Sequence, residues 1–258
     1  GKFTAWCAEN AIHDLHSITS RHIRLFQIYL HGYSGKFQHN VSGALRTLFN
    51  FCVAEKLLSE SPFNNVRMPK LANRILPAFT KDEIDALIKY CMTERDHAIV
   101  LFLLDSGLRA SELISLQLKH YDARTGTVTV VAGKGEKDRV TQVGTKTRKQ
   151  MQRYFMRERG EIGPNDYVFV SATTGEPLTV WGLMQVMRRL RDRSAIPHCT
   201  AHTFRRTFAL ECLRNGMNVH VLARLMGHSD IQVLKQYLDL VEADLTEAHK
   251  RHGPVDNL

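Results

Sequence analysis

Three prolines fix the organisation of this chain before any other feature does. Pro62, Pro69 and Pro77 punctuate a stretch that carries Arg67, Lys70 and Arg74 but little apolar periodicity. Proline removes a backbone donor and biases the residue before it toward extended conformations, so no continuous helix crosses this region. The spacing predicts a helical first domain over 1–66, a basic linker over 67–78 and a second domain over 79–258.

Both parts read mainly as helix. Thr19 is placed to cap a helix with Ile23, Phe26 and Leu30 on one face, ending before Gly32. Val41, Leu45, Leu48, Phe49 and Cys52 then recur at the spacing of a core-facing stripe. Beyond the linker, Thr80 and Glu83 form a capping box ahead of Ile84, Leu87, Ile88 and Cys91. The apolar run 98–104 predicts a buried helix. Residues 127–131 and 139–143 read as strands joined by a turn-rich segment, and 167–170 as a third short strand. Helical periodicity returns from Thr179, with breaks at Gly216 and Gly227. The expected fold class is mainly α (α+β): a helical N-terminal domain, then a mostly helical domain with a small antiparallel three-stranded sheet.

Lysine and arginine number 35 against 26 acidic residues, a formal charge of +9. That surplus favours a polyanionic partner without separating nucleic acid from an acidic membrane surface. A hydrophobic fraction of 43% with 24% charged residues excludes disordered, collagenous and membrane-embedded chains. The longest apolar stretch, Ala98 to Leu104, is far short of the ~20 residues that span a bilayer. No secretory signal opens the sequence as given, so a cytoplasmic location is expected. The five cysteines form no C-x-x-C pair and several occupy apolar helical positions; they read as small buried hydrophobes, not a disulfide framework.

Several short features carry chemistry only as a group. Arg109 precedes Glu112 at a helix start, Lys134 stands between two glycines in the predicted hairpin, and His202 and Arg205 share a helix face at i, i+3. Gly227-His228-Ser229 falls at a helix break, with Tyr237 nine residues after His228. Each has an ordinary structural reading: Arg109 paired with Glu112, Lys134 a solvated charge, the histidines structural, Tyr237 a core residue with its hydroxyl at the surface. His198, Cys199, His202 and Cys212 resemble a zinc set only in composition, because their spacing lacks a ligand knuckle, and no metal is expected. Together, two arginines, a lysine, two histidines and a tyrosine are the parts for metal-free attack on a phosphodiester. Planar guanidiniums clamp the oxygens that gain charge in the transition state. A tyrosine hydroxyl becomes a nucleophile beside a base or in a strong positive field, and a mobile lysine protonates the departing sugar oxygen.

In order and spacing the chain resembles the tyrosine recombinase (phage integrase) family. Arg109 within Asp-Ser-Gly-Leu-Arg-Ala-Ser-Glu-Leu, Lys134 within Gly-Lys-Gly-Glu-Lys-Asp-Arg, His202-Thr-Phe-Arg205, Leu225-Met-Gly-His228-Ser-Asp and Tyr237 carry the resemblance. It is close over 77–245; residues 1–70 resemble the family's core-binding domain only in length, pattern and ending. Arg206 stands where the family commonly has a second histidine, and Phe204 where leucine is usual.

The resemblance implies a mechanism, a partner and an assembly. Tyr237 would attack a scissile phosphate to give a 3′-phosphotyrosyl link and a free 5′-hydroxyl. Arg109 and Arg205 would clamp the phosphate, and His202 and His228 would hydrogen-bond it. Lys134 would act as general acid. Energy conserved in the phosphotyrosyl bond removes any need for a cofactor, and two rounds would pass through a Holliday junction. The partner would be duplex DNA with specific recombination sites, gripped by both domains, with accessory DNA-bending or directionality factors and no membrane. Helix 20–31 or 37–56 is expected in the major groove, with Arg21, Arg24 and Arg46 as contacts. Arg67, Lys70, Arg74 and Arg206 are further DNA-binding candidates. A tail from Val241 would pack on a neighbouring protomer, giving a homo-tetramer on two DNA sites. The expected role is the integrase of a mobile element, acting at the nucleoid. An Xer-type chromosome-dimer resolvase shares every motif, whereas a non-catalytic DNA-binding relative would be expected to have lost part of the ensemble. A type IB topoisomerase or telomere resolvase fits the size and the spacing before Tyr237 less well.

Overall fold

Side-chain caps and apolar stripes set the helices of both parts of the chain. The computed structural model describes residues 1–70, 77–131, 138–227, 234 and 237–241. They fall into two separately packed units, Gly1–Ile75 and Leu76–Leu258.

The first unit is built from α1 (Lys2–Glu9), α2 (Ser20–Tyr29) and α3 (Gly35–Ala54). Ser34 starts α3 by accepting the Phe37 N–H at 3.3 Å. Trp6, Ile23, Phe26, Leu45, Phe49 and Phe63 close one core, with the Phe3 ring edge-on to Phe26 at 4.9 Å. Leu48 departs from the expected stripe and is 49% exposed. Its neighbour Phe49 takes the inward position, since adjacent residues on a helix diverge by about 100°. The expected linker is anchored at both ends. The Arg67 carbonyl accepts from Gln27 Nε2 at 3.2 Å and the Pro69 carbonyl from the His39 ring at 2.8 Å, while Met68 packs against the first core. On the other side, Phe79 lies in the second core and donates its N–H to Thr207 Oγ1 at 2.9 Å.

The second unit contains α4 (Lys81–Lys89), α5 (Glu94–Ser106), α6 (Ala110–Ile114), α7 (Thr145–Tyr154), α8 (Val180–Ser194), α9 (Ala201–Arg214) and α10 (Val219–Met226). The Thr80–Glu83 capping box is formed, with the Thr80 N–H on Glu83 Oε2 at 2.8 Å. Buried Ala98, Ile99, Val100, Phe102 and Leu103 make α5 apolar nearly all round, and it packs between α7 and α9. A three-stranded antiparallel sheet runs β1 (Tyr121–Asp122), β2 (Thr127–Val130), β3 (Arg139–Gln142), with Thr127 opposite Gln142 and Val130 opposite Arg139. The third strand is thus β1 and not the expected 167–170. Tyr167 and Val170 make only isolated bridges, to Gln117 and Pro177, so this run does not join the ladder, although Val168 and Phe169 lie in the core.

α9 is buried from Thr203 to Leu210. One side faces the main core through Phe204; the other meets α10 through Phe208, Leu213, Leu222 and Met226, where Leu234 and Tyr237 also pack. All five cysteines are free, and burial pushes the Cys91 and Cys199 thiols up to about 12. Among the described residues no helix is long and apolar enough to cross a membrane.

Candidate active site

The site grows from the end of α5. Gly107 terminates that helix in the left-handed region, at φ 64°, and a Cβ there would lie 2.3 Å from the Phe208 ring. Only glycine meets both demands. Two residues on, Arg109 opens α6, and Glu112 folds back so that its Oε2 accepts the Arg109 N–H at 2.7 Å. Glu112 Oε1 also accepts from Arg109 Nη1 at 2.9 Å, so the ordinary pairing read from the sequence is present.

Glu112 is shared, however. Arg139, the first residue of β3, grips it with a fork: Nη1 to Oε1 at 2.8 Å and Nη2 to Oε2 at 2.7 Å. Arg205 Nη1 stands 3.9 Å from Oε2. Burial opposes the charged form of Glu112. The hydrogen bonds and charges of Arg139 and Arg109 outweigh it and pull the carboxyl down to about 2. Three guanidiniums therefore surround one carboxylate, leaving a surplus of two positive charges.

Arg205 is held from α9, 5% exposed. Its Nη1 donates to the Gly107 carbonyl and its Nη2 to the Met226 carbonyl, both at 2.6 Å. Met226 ends α10, so the cation sits on the negative end of that helix. Burial and the neighbouring Arg109 lower the Arg205 pKa to about 10, Glu112 and Tyr237 act in the opposite sense, and the group stays charged at neutral pH. Tyr237, 8% exposed, is buried in the α9–α10 cluster that also holds Phe208 and Met226, the residue whose carbonyl Arg205 grips.

His202 lies in the first turn of α9, exposed, one turn before Arg205. Lys134, His228 and Arg74 lie outside the described residues, as does the tail beyond Val241. Of the expected DNA contacts, Arg21, Arg24, Arg46, Arg67 and Lys70 are exposed. Arg206 is not: the residue is buried and its Nη1 donates to the Pro77 carbonyl at 2.6 Å. Of the four residues that resemble a zinc set, His198 is 3.3 Å from Glu83, Cys199 belongs to the main core and Cys212 to the α9–α10 cluster.

Glu112 as a shared anion, and Arg139 altogether, were not singled out as functional by the sequence. The signal available for Arg139 is its place as the last residue of the Gly-Lys-Gly-Glu-Lys-Asp-Arg stretch that carries the resemblance.

Comparison with known proteins agrees with this geometry. The model of the phage integrase family matches residues 77–243. The tyrosine recombinase XerC of Anoxybacillus flavithermus is 27% identical over 98% of this chain and 88% of its own length. A tyrosine recombinase of Pseudothermotoga lettingae is 30% identical over 80% of this chain and 71% of its own. Among solved structures, XerA recombinase superposes with a TM-score of 0.62 at 25% identity, over 98% of this chain and 90% of that one. The Tn1549 transposon integrase in complex with transposon right end DNA reaches 0.75 at 19% identity, over 96% and 91%, a likeness of fold. The chain belongs to the phage integrase family. It is a tyrosine recombinase, an enzyme of the site-specific DNA recombinase class.

Proposed function

We propose that this chain breaks and rejoins duplex DNA through a covalent bond between Tyr237 and a 3′-phosphate. The observation that carries the reading is the convergence of Arg109 and Arg205 on one carboxylate, with Tyr237 buried in the same cluster as the Met226 whose carbonyl Arg205 holds. The phenol oxygen forms a bond to phosphorus as the bond from phosphorus to the 5′-oxygen breaks. His202 takes the phenol proton and Lys134 supplies one to the departing oxygen. Arg109 and Arg205, with His202 and His228, hold the phosphate, whose extra negative charge meets a surplus of positive charge already in place. One phosphodiester is exchanged for another, so a 5′-hydroxyl from a partner duplex reverses the step without a cofactor. Two such rounds pass through a Holliday junction.

The substrate proposed is the joined or paired ends of a mobile element, with the protein acting at the nucleoid. A second reading, chromosome-dimer resolution, is favoured by the XerC relative, whose similarity runs through the first unit as well. Incubation with nicked genomic fragments, denaturation and sequencing of the DNA left on the protein tests both. A covalent species is expected from the wild type and not from Tyr237→Phe, unaffected by chelator. Adduct from Tyr237→Phe would remove the nucleophile from this role. Trapped DNA from a single chromosomal locus favours resolution; element ends favour integration.

We also propose a homo-tetramer on two DNA sites, completed by the tail after Val241 docking on a neighbour, with accessory bending or directionality factors on the DNA. Removing residues 246–258 is expected to leave binding to a single site intact and abolish the two-site complex in native gels. A two-site complex of normal mobility from the truncated protein would overturn the tail's role.

A further inference from the structure

Arg139 is deeply engaged in the site, yet it stands in none of the roles assigned above. Its side chain is 9% exposed, and all three kinds of guanidinium nitrogen are used. Nη1 and Nη2 fork onto Glu112, and Nε donates to the Leu225 carbonyl at 2.8 Å. Leu225 lies in the last turn of α10, one residue before the Met226 whose carbonyl Arg205 holds. Two arginines therefore occupy adjacent carbonyls of one helix end, and one carboxylate is forked by the first and stands 3.9 Å from the second.

Gly227 follows at φ 68°, and a Cβ there would come within 3.0 Å of Arg139 Cδ and 3.1 Å of Nε and Nη1. The backbone bend that leads to His228 is thus packed directly on the Arg139 guanidinium. Meanwhile Glu112 receives both the N–H and Nη1 of Arg109. A lysine cannot reproduce this arrangement, because an ammonium is a point donor and lacks the rigid fork.

Resting on the reading of Tyr237 and the arginine clamp given above, we propose that Arg139 is a positioning residue for DNA cleavage. It locks Glu112 between Arg109 and Arg205 and clamps the end of α10, so that the phosphate-binding groups stand ready before DNA arrives. It does not itself touch the phosphate. Misplacement by about 1 Å at distance from the reacting atoms is enough for a roughly 10²-fold loss.

The test uses the full chain and a nicked recombination site under single-turnover conditions. Arg139→Lys and Arg139→Gln are both expected to lower the rate constant of adduct formation at saturating protein by about 10²-fold. The half-saturating DNA concentration should stay unchanged. A residue needed only for folding would lower the amplitude of adduct and leave the rate constant alone. Adding Arg139→Gln to Glu112→Gln should cost clearly less than the product of the two single effects, because part of the action of Arg139 runs through Glu112 and only its hold on the end of α10 is left to lose.

An unchanged rate constant, a loss confined to amplitude, a loss carried by DNA affinity, or fully multiplicative effects in the double variant would each overturn the proposal. If the wild type forms no adduct either, the reading of Tyr237 is what has failed. Arg139 is then judged by the Nε–H NMR signals of Arg109 and Arg205. They should shift or broaden in Arg139→Lys; signals identical to wild type would dismiss the positioning role.

Discussion

Replacing Arg205 with alanine is expected to slow formation of the covalent adduct by about 10³-fold or more, the scale on which a preorganised donor to a reacting phosphoryl group acts. Two features of its setting make the effect large. The guanidinium is almost fully withdrawn from water, so its charge is little screened. It is also fixed in advance by the Gly107 and Met226 carbonyls, and so does not reorganise when the phosphate gains charge. The same hydrogen bonds foretell a cost in stability, since two carbonyls lose a charged donor, at about 1–3 kcal/mol each where water cannot replace it. Arg205→Lys separates these contributions: it keeps the charge but cannot span both carbonyls and still face a phosphate. It should fold better than Arg205→Ala and remain strongly impaired in cleavage. DNA affinity should change far less than the rate, because one phosphate contact is a small part of a long charged interface. Single-turnover rates at saturating protein, set beside affinity by fluorescence anisotropy, decide the matter. Arg205→Lys cleaving at the wild-type rate would exclude the clamp.

What was legible in the sequence is local. Caps, turn glycines and helical stripes announce themselves within a few residues, and Thr80 and Gly227 both do in space what their neighbours in the chain imply. Helix phase is less secure: Leu48 fits the stripe by spacing, but Phe49 wins the interior and Leu48 is left exposed. Sheet membership is less secure again. The apolar run 167–170 has strand composition, yet its backbone partners are single bridges, while the ladder is completed by Tyr121 and Asp122, too short to show a period. Arg206 shows the limit for charge. Nothing near it in the chain announces that it is buried and that its Nη1 donates to the Pro77 carbonyl, 129 residues away in sequence.

The site divides along the same line. Arg109, Arg205 and Tyr237 stand out because residue type and spacing suffice. The contacts that arrange them, Arg139 to Glu112 and Arg139 to Leu225, join residues 27 and 86 apart and leave no local trace. A polar network of this kind is formed only when the core around it has closed, and each member is satisfied only by the others.

Glu112 gives that network a measurable signature in acid. Its carboxyl titrates at about 2 in the folded protein against an ordinary 4.5. A depressed native pKa contributes stability that is fully present above 4.5 and is lost as the pH falls from there toward 2. The difference corresponds to about 3 kcal/mol, and the carboxylate is buried enough for most of it to survive solvent screening. Glu112→Gln keeps the shape and removes the charge, leaving Arg109, Arg139 and Arg205 facing one another without their counter-ion. The variant is expected to unfold about 6–12 °C lower than wild type at pH 7. The gap should hold down to about pH 4.5 and close progressively below it, because the wild type then loses by protonation what the variant already lacks. Other carboxylates titrate in the same range, but they do so in both proteins and cancel in the difference. Thermal unfolding of the pair across pH 7 to 3 therefore isolates one residue. A gap that is absent at pH 7, or that stays constant through pH 3, would mean that Glu112 is not the anion on which the three arginines depend.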